Sequence, residues 1–169
     1  MKKFLFVALM VAGGMMVNAQ SGSGKNVQFS GGLRFGLPVG NFHLSHSIGI
    51  GAELQAEYKF QPNASFTGNT GFTNFIGKSE TYGGYKYKAD AVGYIPILVG
   101  ARFYPSANAF VGAKVGYGIL TGAGSGGAFN FEPQVGYNGD KYQLGLSYNA
   151  LVDEGTLGHL AVTAVYKFN

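Results

Sequence analysis

The chain has 169 residues, 29 of them glycine, with 15% aromatic and only 12% charged residues, about half the charged share of an ordinary soluble domain. That is one domain's length without the charged coat a soluble surface needs, and the absence of cysteine excludes disulfides, thiolate metal sites and a lipidated N-terminal cysteine. The formal charge of +4 includes Lys2 and Lys3, which belong to a leader read as removable. Taking these two from 12 leaves 10 basic against 8 acidic residues, too even a balance for a nucleic-acid partner.

The leader reads MKKFLFVALMVAGGMMVNAQ. Two lysines, an apolar run over residues 4–12 and small residues ending in Val17-Asn18-Ala19 predict a secretory signal peptide at 1–19, cut after Ala19. The apolar run falls short of the ~20 residues a membrane-spanning helix needs, and Gly13-Gly14 interrupts it. Residues 20–169 then form the mature domain.

From there the chain alternates. The first segment sets Val27, Phe29, Gly31, Leu33 and Phe35 against Gln28, Ser30, Gly32 and Arg34. The second sets Ile48, Ile50, Ala52, Leu54, Ala56, Tyr58 and Phe60 against Gly49, Gly51, Glu53, Gln55, Glu57 and Lys59. A third, near 65–75, is marked by Phe66 and Phe72. The fourth carries Ile95, Ile97, Val99, Ala101 and Phe103 opposite Tyr94, Pro96, Gly100 and Arg102. The fifth carries Val111, Ala113, Val115 and Tyr117 opposite Gly112, Lys114 and Gly116. The sixth and seventh flank an NGDK turn, with Phe131, Pro133, Val135, Tyr137, Tyr142, Leu144, Leu146 and Tyr148 on one face and Glu132, Gln134, Gly136, Gln143, Gly145 and Ser147 on the other. The eighth sets Leu160, Val162, Ala164, Tyr166 and Phe168 against Thr163 and Lys167. Period two over eight segments is a β signal.

Short breaks at 61–64, 105–109 and 138–141 alternate with longer ones near 37–46, 76–91, 118–128 and 149–158. An even strand count with short and long connections at opposite ends fits an all-β fold: an eight-stranded antiparallel up-and-down transmembrane barrel with tight periplasmic turns and longer external loops. Alternation alone does not say which face points in. Eight strands enclose only enough space for side chains, which suits the Gly- and Ser-rich face. Aromatic residues gather where the apolar face meets the short turns: Tyr58, Phe60, Phe66, Phe103, Tyr137, Tyr142, Tyr166 and Phe168, a girdle for the lipid–water boundary. A looser ring holds Phe35, Phe72, Tyr117, Phe129 and Tyr148. The apolar face therefore meets lipid, since in water it would aggregate.

GGLRFGLPVGNF at 31–42, YIPILVGARFY at 94–104, FVGAKVGYG at 110–118, FNFEPQVGYNGDKYQLGLSY at 129–148 and AVYKF at 164–168 resemble the small outer-membrane β-barrel (porin-family, OmpA/OmpX-like) proteins of Gram-negative bacteria. The resemblance covers the mature chain. It implies an outer-membrane location, lipopolysaccharide and phospholipid as lipid neighbours, and the barrel-assembly machinery as a partner in biogenesis. It implies no enzyme activity and no cofactor. The chain departs from the family in having no Trp in its girdles and in placing its terminal aromatic, Phe168, next to last.

The inward charges Arg34, Glu53, Glu57, Arg102, Lys114 and Glu132, with Lys59 and Lys167, are expected to pair in a structural network, because an unpaired charge in a narrow interior is costly. A narrow polar path for small solutes is the competing reading. His43, Ser45 and His46 are the one enzyme-like cluster. Lipid A deacylases, also eight-stranded barrels, use a His and a Ser two apart, but strand parity aims His43 and Ser45 at the lumen, away from lipid. His159 reads as a solvated rim residue. GAGSGG at 122–127 reads as a flexible loop. Around Gly83-Gly84, a hairpin turn signal, Tyr82, Tyr85, Lys86 and Tyr87 suit contact with an extracellular protein or glycan. If that turn is a two-residue one, opposed residue numbers sum to 167, placing Phe66 opposite Ala101, Gly68 opposite Val99, Thr70 opposite Ile97 and Phe72 opposite Ile95. Polar substitution is expected to cost more on the outward face than on the inward one.

Overall fold

The computed structural model describes residues 27–82, 85–122, 125–152 and 156–168; the leader at 1–19 and Gly83-Gly84 lie outside them. Eight strands close into an antiparallel barrel: β1 (Val27–Val39), β2 (His46–Gln61), β3 (Ala64–Gly77), β6 (Val92–Ser106), β7 (Ala109–Gly122), β8 (Gly126–Asn138), β9 (Tyr142–Val152) and β10 (Thr156–Lys167). Between β3 and β6, β4 (Ser79–Tyr82) and β5 (Tyr85–Lys88) form a separate two-stranded ribbon, and a five-residue helix α1 (Asn41–Ser45) links β1 to β2. Pairing of β1 with β10 closes the wall, so the barrel has no free edge.

The facing follows the alternation. Leu33, Ile50, Leu54, Ile97, Val99, Val115, Leu146 and Val162 are exposed on the outside, while Arg34, Glu53, Glu57, Arg102, Lys114 and Glu132 are buried inside. The third and fourth barrel strands pair as Phe66↔Ala101, Gly68↔Val99 and Thr70↔Ile97, and the ribbon as Ser79↔Lys88, Glu80↔Tyr87, Thr81↔Lys86 and Tyr82↔Tyr85, the register the turn implies. The β3–β6 ladder lapses around Pro96 and resumes unshifted at Thr73↔Tyr94. Pro96 pairs with Gly118 on the β7 side, so its missing N–H falls on the β3 side. Pro133 does the same between β8 and β9: the ladder stops at Phe131↔Ala150 and restarts in register at Gln134↔Ser147. Each proline removes a rung without moving the strand.

Two of the expected long connections are short. β7 runs to Gly122 and β8 starts at Gly126, so Gly126 and Gly127 belong to a strand rather than to a loop; likewise β9 runs to Val152 and β10 starts at Thr156. Gly, Asn and Ser near strand ends weaken the local β signal, yet neighbouring strands still supply the ladder. The other two connections are built. Gly40, at φ 59°, makes the left-handed step from β1 into α1 that an L side chain would resist. The helix then carries Phe42 into the barrel mouth.

Candidate functional site

The chemistry-bearing residues of the barrel lie in its interior, in two tiers. In the first, Arg34 on β1 donates from Nη1 to Glu53 Oε2 on β2 at 2.7 Å and from Nη2 to Glu132 Oε2 on β8 at 2.7 Å. Lys114 Nζ on β7 sits 2.6 Å from Glu132 Oε1 and 3.9 Å from Glu53 Oε1. Two cations and two carboxylates therefore form a closed ring across the lumen. The Asn149 amide adds hydrogen bonds to Glu132 Oε2 at 2.8 Å and to the Tyr94 hydroxyl at 2.9 Å, and the Asn130 amide also donates to that hydroxyl.

The second tier centres on Arg102. Its Nη1 donates to Glu57 Oε2 and Gln143 Oε1, each at 3.1 Å, and its Nη2 to Gln55 Oε1 at 2.7 Å and Gln134 Oε1 at 2.8 Å. The guanidinium lies 4.2 Å from the Phe110 ring centroid, a cation–π contact beneath a hydrogen-bonded fork. The Tyr104 hydroxyl donates to Glu57, and the Gln143 amide donates to the same carboxylate at 3.3 Å.

Large charged side chains fit an eight-stranded interior because glycines face them across the ladder. Arg102 opposes Gly112 and Lys114 opposes Gly100 on the paired strands β6 and β7. A Cβ at Gly100 would lie 2.2 Å from the Ala113 carbonyl oxygen and 2.7 Å from Lys114 Cγ; one at Gly112 would lie 2.3 Å from the Ala101 carbonyl oxygen and 3.0 Å from Arg102 Cγ. The glycines of the inward face are the space into which the cations fold. Charge balances too: Arg34, Arg102 and Lys114 meet Glu53, Glu57 and Glu132.

On the outside, Tyr58, Phe60, Phe66, Phe103, Tyr137, Tyr142, Tyr166 and Phe168 are all exposed near the short-turn end. Tyr58 opposes Phe66 and Tyr142 opposes Tyr166, while Phe60 stacks on Phe66 with centroids 4.5 Å apart. An exterior that is apolar along every strand, around an interior that holds the ion pairs, is a protein turned inside out relative to one that dissolves in water.

No protein-family model matches the chain, and no curated protein does. Solved structures match its fold. The Yersinia pestis outer-membrane protein Ail in a phospholipid nanodisc superposes with a TM-score of 0.59 at 15% identity, covering 83% of this chain and 99% of that one. Ail in complex with the heparin analogue sucrose octasulfate gives 0.51 at 14% identity, covering 85% and 98%. A de novo designed transmembrane β-barrel gives 0.52 at 13%, covering 83% and 94%. The chain has the fold of an outer-membrane β-barrel.

The long-connection mouth of the barrel is closed by an apolar stopper. Phe42 from α1 packs on Phe75 with centroids 4.9 Å apart, alongside Tyr94, Ala128 and Leu151. His159 is part of that stopper and not a solvated rim residue: it is 1% exposed, between Phe75 at 5.0 Å and Tyr94 at 5.5 Å. The strand starts earlier than expected, at Thr156, which moves His159 inside and gives it inward parity. Parity also fails for His43 and Ser45, because 41–45 is helical. His43 faces outward and receives Lys78, whose Nζ donates to the His43 carbonyl at 2.5 Å and lies 3.2 Å from Nδ1. Ser45 Oγ is 2.8 Å from His46 Nδ1, and His46 Nε2 is 3.2 Å from the Asp90 carbonyl oxygen. His46, not His43, is the buried imidazole of the cluster.

At the other mouth, Lys59 and Lys167 do not join the ion pairs. Lys59 is exposed above the Tyr104 ring, and Lys167 bonds to Asn138 Oδ1 at 2.8 Å and the Gly139 carbonyl at 2.6 Å. The alternation points the amides Gln55, Gln134 and Gln143 inward without identifying their partners, while Asn130 and Asn149 emerge only from the structure. Among the described residues no three metal-ligating side chains gather, and no helix is long and apolar enough to cross a membrane. The ribbon holds Tyr82, Tyr85, Lys86 and Tyr87 at paired positions beyond the barrel wall.

Proposed function

We propose that the chain is a non-enzymatic integral outer-membrane protein whose barrel is a non-conducting scaffold in lipopolysaccharide and phospholipid, and that it serves envelope integrity or surface interaction through its external end. One observation carries this reading: the lumen is crossed by two neutral, hydrogen-bonded tiers whose six charged side chains are buried and mutually paired. Opening a path would require these buried pairs to be broken. The same rigidity suits a scaffold that presents connecting segments. The ribbon supports surface contact with an extracellular protein or glycan, because its two short strands are not part of the barrel ladder. A glycan partner is also compatible with the heparin analogue that Ail holds.

Planar-bilayer recording on refolded protein tests the scaffold. Wild type is expected to show no steady single-channel steps. Steady conductance in wild type that disappears when the lumen is narrowed, for instance by Gln134→Trp, would replace this reading with a solute pore. Lipid A of unchanged mass after expression is expected alongside.

A further inference from the structure

We infer that the short-turn mouth of the barrel is a binding site for a phosphate-class oxyanion, presented from the periplasmic side. The first observation is an imbalance of charge. Once the six lumen charges have paired, the described residues at this end carry Lys59, Lys141 and Lys167 against a single carboxylate, Asp140. Among the described residues, no carboxylate comes within 4.0 Å of any of the three ammonium groups. Lys167 is bound to two neutral oxygens, Asn138 Oδ1 and the Gly139 carbonyl, which leaves its charge uncompensated and one of its three N–H donors to spare. Lys59 is held by an aromatic face, its Nζ 5.3 Å from the Tyr104 centroid, and keeps its donors free for a ligand.

The second observation is a cavity beside Lys59, which alone of the three lysines lines it; Lys167 reaches the lining through Asn138. About 400 Å³ of space is lined by Lys59, Asn63, Tyr104, Ser106, Ala107 and Asn138. That is room for a phosphate together with the group it is attached to. Its polar lining includes an ammonium, a carboxamide and a hydroxyl, the donors an oxyanion needs. The walls are already fixed. Tyr104 N donates to the Asn63 carbonyl at 2.9 Å and Asn138 N to the Asn108 carbonyl at 2.9 Å, so both flanking turns are tied to neighbouring strands. Asn138 acts as the clamp: its Nδ2 donates to the Ala107 carbonyl at 3.0 Å, while its Oδ1 accepts from Lys167 and from Gln143 at 2.9 Å. Little ordering remains to be done on binding. A cleft with low-dielectric walls and excess positive charge concentrates anions.

The phosphate can come from a phospholipid head group of the surrounding leaflet or from a soluble anion. Both are tested on the full mature chain refolded in nonionic maltoside micelles, which contain no phosphate. Inorganic phosphate is titrated at constant ionic strength, and the backbone amides of Asn63, Ser106 and Asn138 are followed by NMR. Saturable shifts confined to this mouth are expected, with the affinity weakened at least about tenfold in Lys59→Gln/Lys167→Gln and unchanged in Lys78→Gln at the opposite end. Lys59→Gln alone, which removes no hydrogen bond or ion pair of the lumen tiers, guards against a folding defect and is expected to bind more weakly than wild type. In the second arm, phosphatidylglycerol is added to the micelles: the same shifts without inorganic phosphate identify a head group as the source, and their absence leaves the soluble anion. Wild type that shifts in neither arm, or a double variant that binds as wild type does, would overturn the site.

Discussion

Gly100 and Lys114 occupy one cross-strand pair, and neither residue makes sense without the other. A Cβ on the glycine would crowd Lys114 Cγ at 2.7 Å, while the lysine's ammonium turns to Glu132, its cross-strand partner on β8. Gly112 holds the same relation to Arg102. Gly112→Val is therefore expected to cost about 1–3 kcal/mol by overpacking, read as a lower urea midpoint on refolding into bilayers. The carboxylates respond to a different term. Glu132→Gln leaves Arg34 and Lys114 facing Glu53 alone, and removing one partner of a buried charge set costs about 3–5 kcal/mol. A loss below about 1 kcal/mol would mean that water reaches the ring and screens it.

The element that tests the pattern most severely is the hairpin from β3 to β6. Its outward face is diluted by Gly68 and Thr70, and Pro96 removes a rung, yet the register is the one a two-residue turn at Gly83-Gly84 implies. A slip of one residue would turn Phe66 and Phe72 inward, so parity is enforced by burial; the turn selects among registers of equal parity. The chain has no cysteine, which makes cross-linking clean. Ser79→Cys with Lys88→Cys is expected to form an intramolecular disulfide, and Ser79→Cys with Lys86→Cys is not, as read by electrophoretic mobility. On β2, Leu54→Arg is expected to cost ~2–4 kcal/mol near the bilayer midplane, since Leu54 is 44% exposed on the outward face. Gln55→Ala, one residue along, is no longer expected to be mild. Gln55 accepts from Arg102 and donates to Gln143, so losing it leaves a buried Arg102 donor unmet at about 1–3 kcal/mol, measured in the same titration.

At the scale of the whole molecule, charge is partitioned by height. The lumen holds three cations and three carboxylates in buried pairs, and the short-turn mouth keeps lysines that no carboxylate within 4.0 Å answers among the described residues. The middle is closed by electrostatics and the long-connection mouth by apolar packing of Phe42, Phe75 and Leu151. Eight strands make this possible, because the interior is narrow enough for side chains from opposite walls to meet.

Strand count, facing and the placing of aromatics follow from local periodicity, because a strand's side chains alternate at a period of two and lipid demands that one face be apolar throughout; the hairpin register needed the turn signal as well. The residues themselves carried that information: Ile50, Ala52, Leu54 and Ala56 read outward without reference to any neighbour. What met inside did not follow. Arg34 and Glu132 are 98 residues apart in the chain and 2.7 Å apart in space, a pairing set by how far the strands tilt and stagger when β1 closes on β10. His159 and Phe42 escaped for related reasons. Each belongs to a connection whose conformation is decided by what the closed barrel leaves room for, a strand begun early in one case and a helix folded inward in the other. Alternation determined which residues face the lumen; only closure decided which of them touch.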